Sequence, residues 1–223
     1  MSYALRYGSR SVAYTYSEPT VFFEYMVDTA RLARQQGLRN VVISAGYMNP
    51  EPVRRLCEVV DAIKIDLKGF NEEFYEKVCD ATLQPVLETI KTIHESGVHL
   101  EIVNLVVPTL NDDPGELREM ARWVVRNLGP DVPLHFDRFF PRYKLTHLPP
   151  TPVETLERAQ AIARQEGVKY VYIGNVPGHP AMHTYCAHCG EVVIRRKGHA
   201  LVANHLVKGR CPFCGNPIPG VWA

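Results

Sequence analysis

Residues 40–67, NVVISAGYMNPEPVRRLCEVVDAIKIDL, place a helical stretch between two short runs rich in β-branched residues. We predict strands at Asn40–Ser44 and Ala62–Leu67. The prolines at positions 50 and 52 open the intervening helix, because proline suits a first helical turn. A strand, a helix and a second strand in this order favour a right-handed crossover between parallel strands. This stretch therefore predicts an α/β fold.

The same alternation continues in both directions along the chain. The other predicted strands are Ser11–Tyr16, Leu100–Val107, Leu134–Phe139 and Tyr170–Gly174. The other predicted helices cover about 20–36, 71–78, 84–96, 116–127 and 152–166. Six parallel strands predict a partial parallel βα-barrel, since a full barrel has about eight. The strand at Ser11 has no predicted neighbour before it, so we expect it at an exposed sheet edge.

The composition changes after Gly174. Residues 175–180, NVPGHP, form a turn-rich linker, and the pattern beyond it is β-like around two CxxC pairs. We therefore predict two domains, a partial barrel over residues 1–176 and a small ribbon over residues 177–223.

The two CxxC pairs predict a metal site. Each pair, CAHCG at 186–190 and CPFCG at 211–215, lets one tight turn present two sulfur atoms to a single ion. The glycine after each pair permits a left-handed backbone conformation. Disulfides or free thiols are the alternative, but no export signal precedes these cysteines. The predicted ligands are Cys186, Cys189, Cys211 and Cys214.

We expect this ion to be a structural zinc. Four thiolates close the tetrahedral coordination sphere and leave no open position for a substrate. Nearby histidines could substitute as ligands, although a complete cysteine set makes them unnecessary. They are His183, His188, His199 and His205.

The overall charge and hydropathy favour a cytoplasmic protein. The formal net charge is +1, which gives no electrostatic argument for a nucleic-acid or membrane-surface partner. No apolar run approaches the roughly 18 residues that a membrane span needs. The first residues, MSYALRYGSRSVAYTY, do not have the pattern of a secretory signal.

Polar residues follow or occupy several predicted strands. In parallel barrels, ligands bind at the carboxyl ends of the strands, so side chains at these positions are candidates for a binding site. The candidate positions are Tyr16-Ser17-Glu18-Pro19, Ser44-Ala45-Gly46-Tyr47, Asp66-Leu67-Lys68 and His135-Phe136-Asp137-Arg138.

From Ser11 to Trp222, the chain resembles a known family of enzymes. The matching stretches are SVAYTYSEPTVFFEY, AIKIDLKGFNEEFYEKVC, LNDDPGELREMA, PPTPVETLERA, KYVYIGNVPGH and CPFCGNPIPGVW. Together they resemble the radical S-adenosylmethionine (SAM) enzyme of the AmmeMemoRadiSam system, a relative of the glycyl-radical-enzyme activases such as the pyruvate formate-lyase activating enzyme.

The resemblance implies a partial barrel that binds SAM beside a [4Fe-4S] cluster. Ser17-Glu18-Pro19 would receive the methionyl amino group, and Lys68 would reach the methionyl carboxylate. Asp66 would hold that lysine or a nearby cation, and His135 would line the cofactor site. The resemblance leaves the substrate open between a small molecule and a protein, with other AmmeMemoRadiSam proteins as candidate partners.

The chain also departs from the family pattern. Ser44 and Gly46 match the turn that lines the cofactor, but Ala45 replaces an asparagine that would contact the ribose. The CxxxCxxC loop that ligates the cluster is expected upstream of Ser11 and is missing from these residues. Cys57 and Cys79 are not placed to replace it. We therefore expect a fragment of a longer enzyme that does not cleave SAM alone.

Two functions of other classes remain open from the residues. Lys64 or Lys68 on a barrel strand is a candidate Schiff-base nucleophile of a lyase. A ribbon that binds nucleic acid is the second alternative, because five cations lie on or near one hairpin. They are Arg195, Arg196, Lys197, Lys208 and Arg210.

Overall fold

The computed structural model describes residues 1–198 and 200–222. The chain divides into two compact units. The first unit comprises Met1–Leu67 and Thr82–Glu101, and the second comprises Lys68–Ala81 and Ile102–Ala223. The domain boundary predicted between residues 176 and 177 lies within the second unit and stays a prediction.

Strands and helices alternate as the sequence predicts. In chain order the elements are α1 (Ser2–Arg6), β1 (Ser11–Tyr14), α2 (Phe23–Gln35), β2 (Arg39–Ser44), α3 (Pro50–Cys57), β3 (Ala62–Asp66), α4 (Glu72–Phe74), α5 (Leu83–Glu95), β4 (His99–Val106), α6 (Pro114–Leu128), β5 (Leu134–Arg138), α7 (Val153–Gln165), β6 (Val171–Gly174), β7 (Thr184–Tyr185), β8 (Val192–Lys197) and β9 (Ala200–Asn204). None of the helices described is long and apolar enough to cross a bilayer.

The first six strands form a sheet in the order β1-β2-β3-β4-β5-β6, with β1 at one end. The pairs β1–β2, β2–β3, β4–β5 and β5–β6 are parallel. Strands β7, β8 and β9 form a separate sheet, in which neighbouring strands are antiparallel. The predicted α/β fold with a small C-terminal ribbon is therefore confirmed. The short helix α1 is absent from the prediction, and it buries no residue.

A buried asparagine organises the start of β2 in the first unit. The Asn40 side chain accepts a hydrogen bond from the Tyr14 hydroxyl at 3.0 Å and donates to the carbonyls of Ala30 and Val59 at 2.9 and 3.0 Å. Its backbone N–H donates to the Asp61 carboxylate at 2.8 Å. Asn40 is 0% exposed, so these groups satisfy one another where water does not reach.

We expect Asn40→Ala to lower the free energy of unfolding by about 3 kcal/mol, because it leaves two buried carbonyls and a hydroxyl without their partner. Chemical denaturation measures the change. Asn127→Ala is the matched control, since the Asn127 amide donates to the Trp123 carbonyl on an exposed helix face. Equal, small decreases in the free energy of unfolding for the two variants would contradict the stabilising role of Asn40.

Charged side chains join α6 to the end of α7 in the second unit. The Glu166 carboxylate accepts hydrogen bonds from Arg118 Nε at 3.0 Å and from Arg122 Nε at 2.9 Å. Apolar side chains of α6 and α7, among them Leu117 and Leu156, are fully buried. The ion pairs therefore close the surface of a packed helix pair.

The ribbon has a small apolar core that includes a residue from before β6. Tyr170 packs with Val193, Ile194 and Ile218, together with the thiols of Cys186 and Cys211. Burial, followed by the nearby Asp131 carboxylate, raises the pKa of Tyr170 to about 12, so its phenol stays neutral. The ribbon therefore does not form its core alone but shares it with the strand region that precedes it.

Candidate functional site

Glu18 ties the turn after β1 to the turn after β2. Its Oε1 atom accepts hydrogen bonds from the Ser44 hydroxyl at 2.8 Å and from the Thr20 N–H at 3.2 Å. Its Oε2 atom accepts from the Ala45 N–H at 2.8 Å. The Ser44 hydroxyl in turn accepts from the Gly46 N–H at 3.0 Å. The structure thus brings Glu18, Ser44 and Gly46 together, as three of the predicted candidates.

Local sequence explains why the two turns take this shape. Glu18 caps a 3₁₀ turn at Pro19–Phe22, and Pro19 occupies the first position of that turn, where its missing N–H is not needed. Gly46 has φ +76°, and a Cβ there would lie 2.9 Å from Ile65 Cγ2. Only glycine fits both the backbone angle and the space. Pro19 is buried and Ser17 is exposed.

The hydrogen bonds of Glu18 define what this carboxylate does. Both of its oxygen atoms are engaged by groups of the chain itself, so it fixes the backbone around it. The exposed Ser17 precedes Glu18 and shares in none of these bonds. A ligand bound here would therefore meet a backbone that is already ordered.

We expect Glu18→Gln to lower the free energy of unfolding by about 1–3 kcal/mol, because its amide group would face the Ala45 N–H with a donor. Thermal and chemical denaturation measure the loss. Glu24→Gln, at an exposed position of α2, should leave stability within about 0.5 kcal/mol of the unsubstituted chain. A Glu18→Gln variant with an unchanged free energy of unfolding would contradict the proposed bridging role.

Within the second unit, side chains form hydrogen bonds to the Lys68 backbone and fix the segment after β3. The Lys68 N–H donates to the Tyr75 hydroxyl at 3.1 Å. The Lys68 carbonyl accepts from the side-chain amides of Asn104 at 3.2 Å and Asn111 at 2.6 Å. Glu116 accepts from the Phe70 N–H at 2.7 Å. The backbone that carries the Lys68 side chain is therefore held from several directions.

Sequence analysis missed the two asparagines that hold Lys68. Asn104 is 0% exposed and Asn111 is 1% exposed. The Asn111 amide also accepts from the Val107 N–H at 2.6 Å and donates to the Leu105 carbonyl at 2.9 Å. A polar residue inside the apolar run LEIVNLVV was the available signal for Asn104. Asn111 entered the sequence analysis only within the matching stretch LNDDPGELREMA.

Asp66 and His135 make different contacts from each other. Asp66 Oδ1 lies 3.8 Å from Lys64 Nζ in the first unit, so these two side chains on one face of β3 form an ion pair. In the second unit, the His135 ring stacks on the Tyr172 ring with centroids 4.7 Å apart and planes 20° apart. The cofactor roles predicted for both residues stay predictions.

The four predicted metal ligands converge on one point. Cys186 Sγ lies 3.6 Å from Cys214 Sγ, and Cys189 Sγ lies 3.7 Å from Cys211 Sγ. All four sulfur atoms lie within 4.8 Å of one another. Gly190 and Gly215 have φ +78° and +75°, and their N–H groups bond back to the first cysteine of each pair. The sequence therefore predicted both the four-cysteine site and the purpose of its glycines.

The clustered thiols influence one another's ionisation. Burial of Cys186 opposes ionisation, but the N–H groups of Cys189 and His188, with the Cys214 and Cys189 thiols, lower its pKa to about 7. Although the Asn216 N–H favours the Cys214 thiolate, burial and the other three cysteines raise its pKa to about 12. One thiol thus ionises readily and disfavours a second charge beside it, as expected for sulfur atoms that need a cation to neutralise them.

The two remaining cysteines stand apart from this group. Burial raises the pKa of Cys57, with a hydrogen bond to Ser96 acting in the opposite direction. Burial also raises the pKa of Cys79, against the influence of the Lys68 ammonium. Within residues 1–198 and 200–222, the ribbon cysteines are the one group of three or more metal-ligating side chains. His199 lies outside the described residues.

Neither alternative function gains support from this geometry. Lys64 is held in its ion pair with Asp66. Of the five ribbon cations, Arg196 donates to the Met182 carbonyl and Arg210 to the Gly215 carbonyl, each at 3.0 Å. These two guanidinium groups therefore serve the ribbon's own backbone.

The sequence matches a known superfamily. The family model of the Radical SAM superfamily matches residues 1–124, which is more than half of the chain. This chain therefore belongs to the radical SAM superfamily. That stretch includes Glu18, Ser44, Gly46, Asp66 and Lys68.

Two relatives extend the match beyond that region. The protein MJ0808 of Methanocaldococcus jannaschii is 50% identical over 217 residues, which are 96% of this chain and 64% of that protein. The pyruvate formate-lyase 1-activating enzyme of Escherichia coli strain K12 is 26% identical over 162 residues, which are 67% of this chain and 65% of that enzyme. The chain thus has relatives among activating enzymes and spans less than two thirds of the length of these two proteins.

Solved structures share the fold. A domain of the pyruvate-formate lyase-activating enzyme from Bacteroides vulgatus matches with a TM-score of 0.64 at 19% identity, over 74% of this chain and 99% of that chain. A radical SAM methyltransferase from Sphaerobacter thermophilus matches with a TM-score of 0.63 at 15% identity, over 85% of this chain and 57% of that chain. At these identities the likeness concerns the fold alone.

Proposed function

We propose that this chain is the SAM-binding part of a radical SAM enzyme of the AmmeMemoRadiSam and glycyl-radical-activase type. The observation that carries the proposal is the network around Glu18, which orders the backbone after β1 and β2 before any ligand arrives. The superfamily membership of residues 1–124 supplies the class of cofactor. The AmmeMemoRadiSam type rests on the sequence stretches quoted above.

The proposed cofactor contacts are those that the resemblance to the family implies. In the first unit, the turn Ser17-Glu18-Pro19 offers backbone carbonyls to the methionyl amino group, and the Ser44–Gly46 turn lines the nucleoside. In the second unit, Lys68 offers an ammonium group to the methionyl carboxylate, where a point cation suits an anion. His135 contributes an aromatic ring to the lining.

The polar groups of these residues suit the two charged groups of SAM. The methionyl end of SAM carries one ammonium and one carboxylate, and the chain supplies acceptor carbonyls in an ordered turn and the cation of Lys68. At Gly46, the positive φ and the closeness of Ile65 both require glycine, so this turn keeps one defined shape. Asp66 is proposed to stabilise cationic groups close to it, as it does with Lys64.

Apart from the four ribbon cysteines, the described residues form no group of three ligands for the [4Fe-4S] cluster of the superfamily. When bound, this cluster supplies the electron for reductive cleavage of SAM. Cys57 and Cys79 are half-buried thiols whose pKa values burial raises, and they belong to no group of three ligands in the part of the chain described. We therefore propose that residues 1–223 bind SAM but need cluster ligands from elsewhere to cleave it. We also propose that the protein is cytoplasmic and that other AmmeMemoRadiSam proteins are its partners. The substrate is proposed to be a small molecule or a protein.

We expect the purified chain to bind SAM, and Lys68→Ala to weaken the affinity about tenfold or more, because the variant loses a charged hydrogen bond to the carboxylate. Isothermal titration calorimetry with SAM measures both affinities. Lys77→Ala is the matched control, since Lys77 pairs with Glu73 on an exposed helix face at 2.6 Å.

Two results would count against this proposal. Undetectable SAM binding by the folded, unsubstituted chain would remove it, and equal affinities for Lys68→Ala and Lys77→Ala would remove the role of Lys68. A [4Fe-4S] spectrum after anaerobic reconstitution of this chain, retained when the ribbon cysteines are replaced, would overturn the proposed need for outside ligands.

We also propose that the ribbon holds one structural zinc ion. The edge of a tetrahedron of sulfur atoms about 2.3 Å from one zinc is about 3.8 Å, close to the 3.6 and 3.7 Å separations of the two sulfur pairs. In a [4Fe-4S] cluster each thiolate binds a different iron, which spreads the sulfur atoms farther apart. A single closed ion therefore suits this geometry better than a cluster does.

We expect about one zinc per chain and no acid-labile sulfide. Cys211→Ser should lower the zinc content and unfold the ribbon first, because metal binding and ribbon folding are coupled. Elemental analysis, a sulfide assay and limited proteolysis check these outcomes. The control variant Cys57→Ser should keep its zinc. Acid-labile sulfide that is lost when the ribbon cysteines are replaced would contradict the zinc assignment and indicate an iron–sulfur cluster in the ribbon.

A further inference from the structure

One ribbon cation has a different environment from its neighbours on the same strand. Along β8, Arg195 and Lys197 are exposed, whereas Arg196 is half-buried. Its Nη1 atom donates to the Thr184 hydroxyl at 2.8 Å and to the Met182 carbonyl at 3.0 Å. The alternation of a β-strand thus directs this guanidinium into the protein.

The Arg196 backbone is held as firmly as its side chain. Its N–H donates to Nδ1 of His183 at 3.2 Å. Because this nitrogen accepts a hydrogen bond, His183 is engaged in placing β8. The guanidinium therefore has a fixed position at which to act on neighbouring groups.

That position lies over an aromatic ring of the parallel sheet. Arg196 Cζ is 5.7 Å from the centroid of the Tyr172 ring in β6. The Tyr172 hydroxyl also forms a hydrogen bond with the Thr184 hydroxyl at 3.0 Å. Thr184 is 3% exposed and contacts both partners. The ribbon therefore holds Tyr172 by its face and by its hydroxyl.

Tyr172 in turn carries the His135 ring. His135 and Tyr172 are register partners on the parallel strands β5 and β6. Their rings stack at 4.7 Å with planes 20° apart. Arg196 thus contacts Tyr172, and Tyr172 contacts His135, entirely within the second unit.

We propose that Arg196 is a positioning residue that fixes the orientation of His135 through Tyr172. The proposal rests on the proposed function only in making His135 part of the lining of the SAM site. It gives the ribbon a role in the site, because the ribbon supplies Arg196 and Thr184. Arginine suits this role better than lysine, since its planar group can face a ring and donate two hydrogen bonds at once.

The test follows the His135 imidazole by NMR in the full chain. Replacing Tyr172 by leucine removes the ring current on His135 and defines the full shift of its signals. We expect Arg196→Ala to move the same signals part of the way toward the Tyr172→Leu position, and Arg196→Lys to move them less. Arg195→Ala, at the exposed neighbouring position, should leave them unchanged.

The coupling is then measured on SAM affinity. We expect Arg196→Ala to weaken SAM binding about threefold to tenfold, the range of a partly buried cation–π contact. In the Tyr172→Leu background the same substitution should have no further effect, because the link to His135 is already broken.

Two outcomes overturn the proposal. In the first, the His135 signals move in Tyr172→Leu but stay in place in both folded Arg196 variants. In the second, Arg196→Ala weakens SAM affinity by the same factor in the Tyr172→Leu background as in the unsubstituted chain. Where Arg196→Ala does not fold, the signals of Arg196→Lys decide. An unsubstituted chain that binds no SAM refutes the proposed function, whereas the NMR shifts still decide whether Arg196 positions His135.

Discussion

The structure depends on satisfying the backbone polar groups where strands end and turns begin. A buried N–H or carbonyl without a partner costs about 1–3 kcal/mol, so each turn beside a parallel sheet needs its own hydrogen-bonding groups. Glu18 provides acceptors for three donors after β1 and β2. Asn111 provides both a donor and an acceptor around Lys68 and Val107. The same bonds that stabilise the fold also order the backbone that is proposed to meet the cofactor.

The ribbon solves a different physical problem. Its own core is small, and it combines two buried cysteines with a few apolar side chains and with Tyr170 from before β6. A segment of this size needs a further source of stability, and four converging thiols offer it through metal binding. Because Arg196 of the ribbon contacts Tyr172 in β6, a metal ion that orders the ribbon would also help to hold Tyr172 and the His135 ring stacked on it.

Two kinds of residue are distinguished at the proposed site: those that would contact a ligand and those that order the backbone around it. Glu18 illustrates the second kind, since both of its carboxylate oxygens accept hydrogen bonds from the chain itself. Lys68 is proposed to illustrate the first kind, through an ammonium group that would meet the SAM carboxylate while neighbouring side chains hold its backbone. Substitutions at the two positions should therefore be separable, one acting mainly on stability and the other mainly on affinity.

The sequence alone determined the order of strands and helices and the four-cysteine site. Alternating β-branched runs and amphipathic helices are local patterns, and two residues between paired cysteines fix the geometry of each knuckle within one turn. The stretch from Ser11 to Gly174 accordingly folds as the six predicted parallel strands. The candidate residues at the strand ends were also found from the sequence, although their roles toward a cofactor were only implied by resemblance.

Only the tertiary structure decided which polar side chains hold which turns. Asn104 and Asn111 meet the Lys68 carbonyl across 36 and 43 residues of chain, and Arg196 reaches Tyr172 from another sheet. Such contacts leave no periodic signal, because they depend on where distant elements come to lie and not on spacing along the chain. An arginine that faces solvent and one that faces a ring look the same in a run such as IRRK, and packing alone distinguishes them.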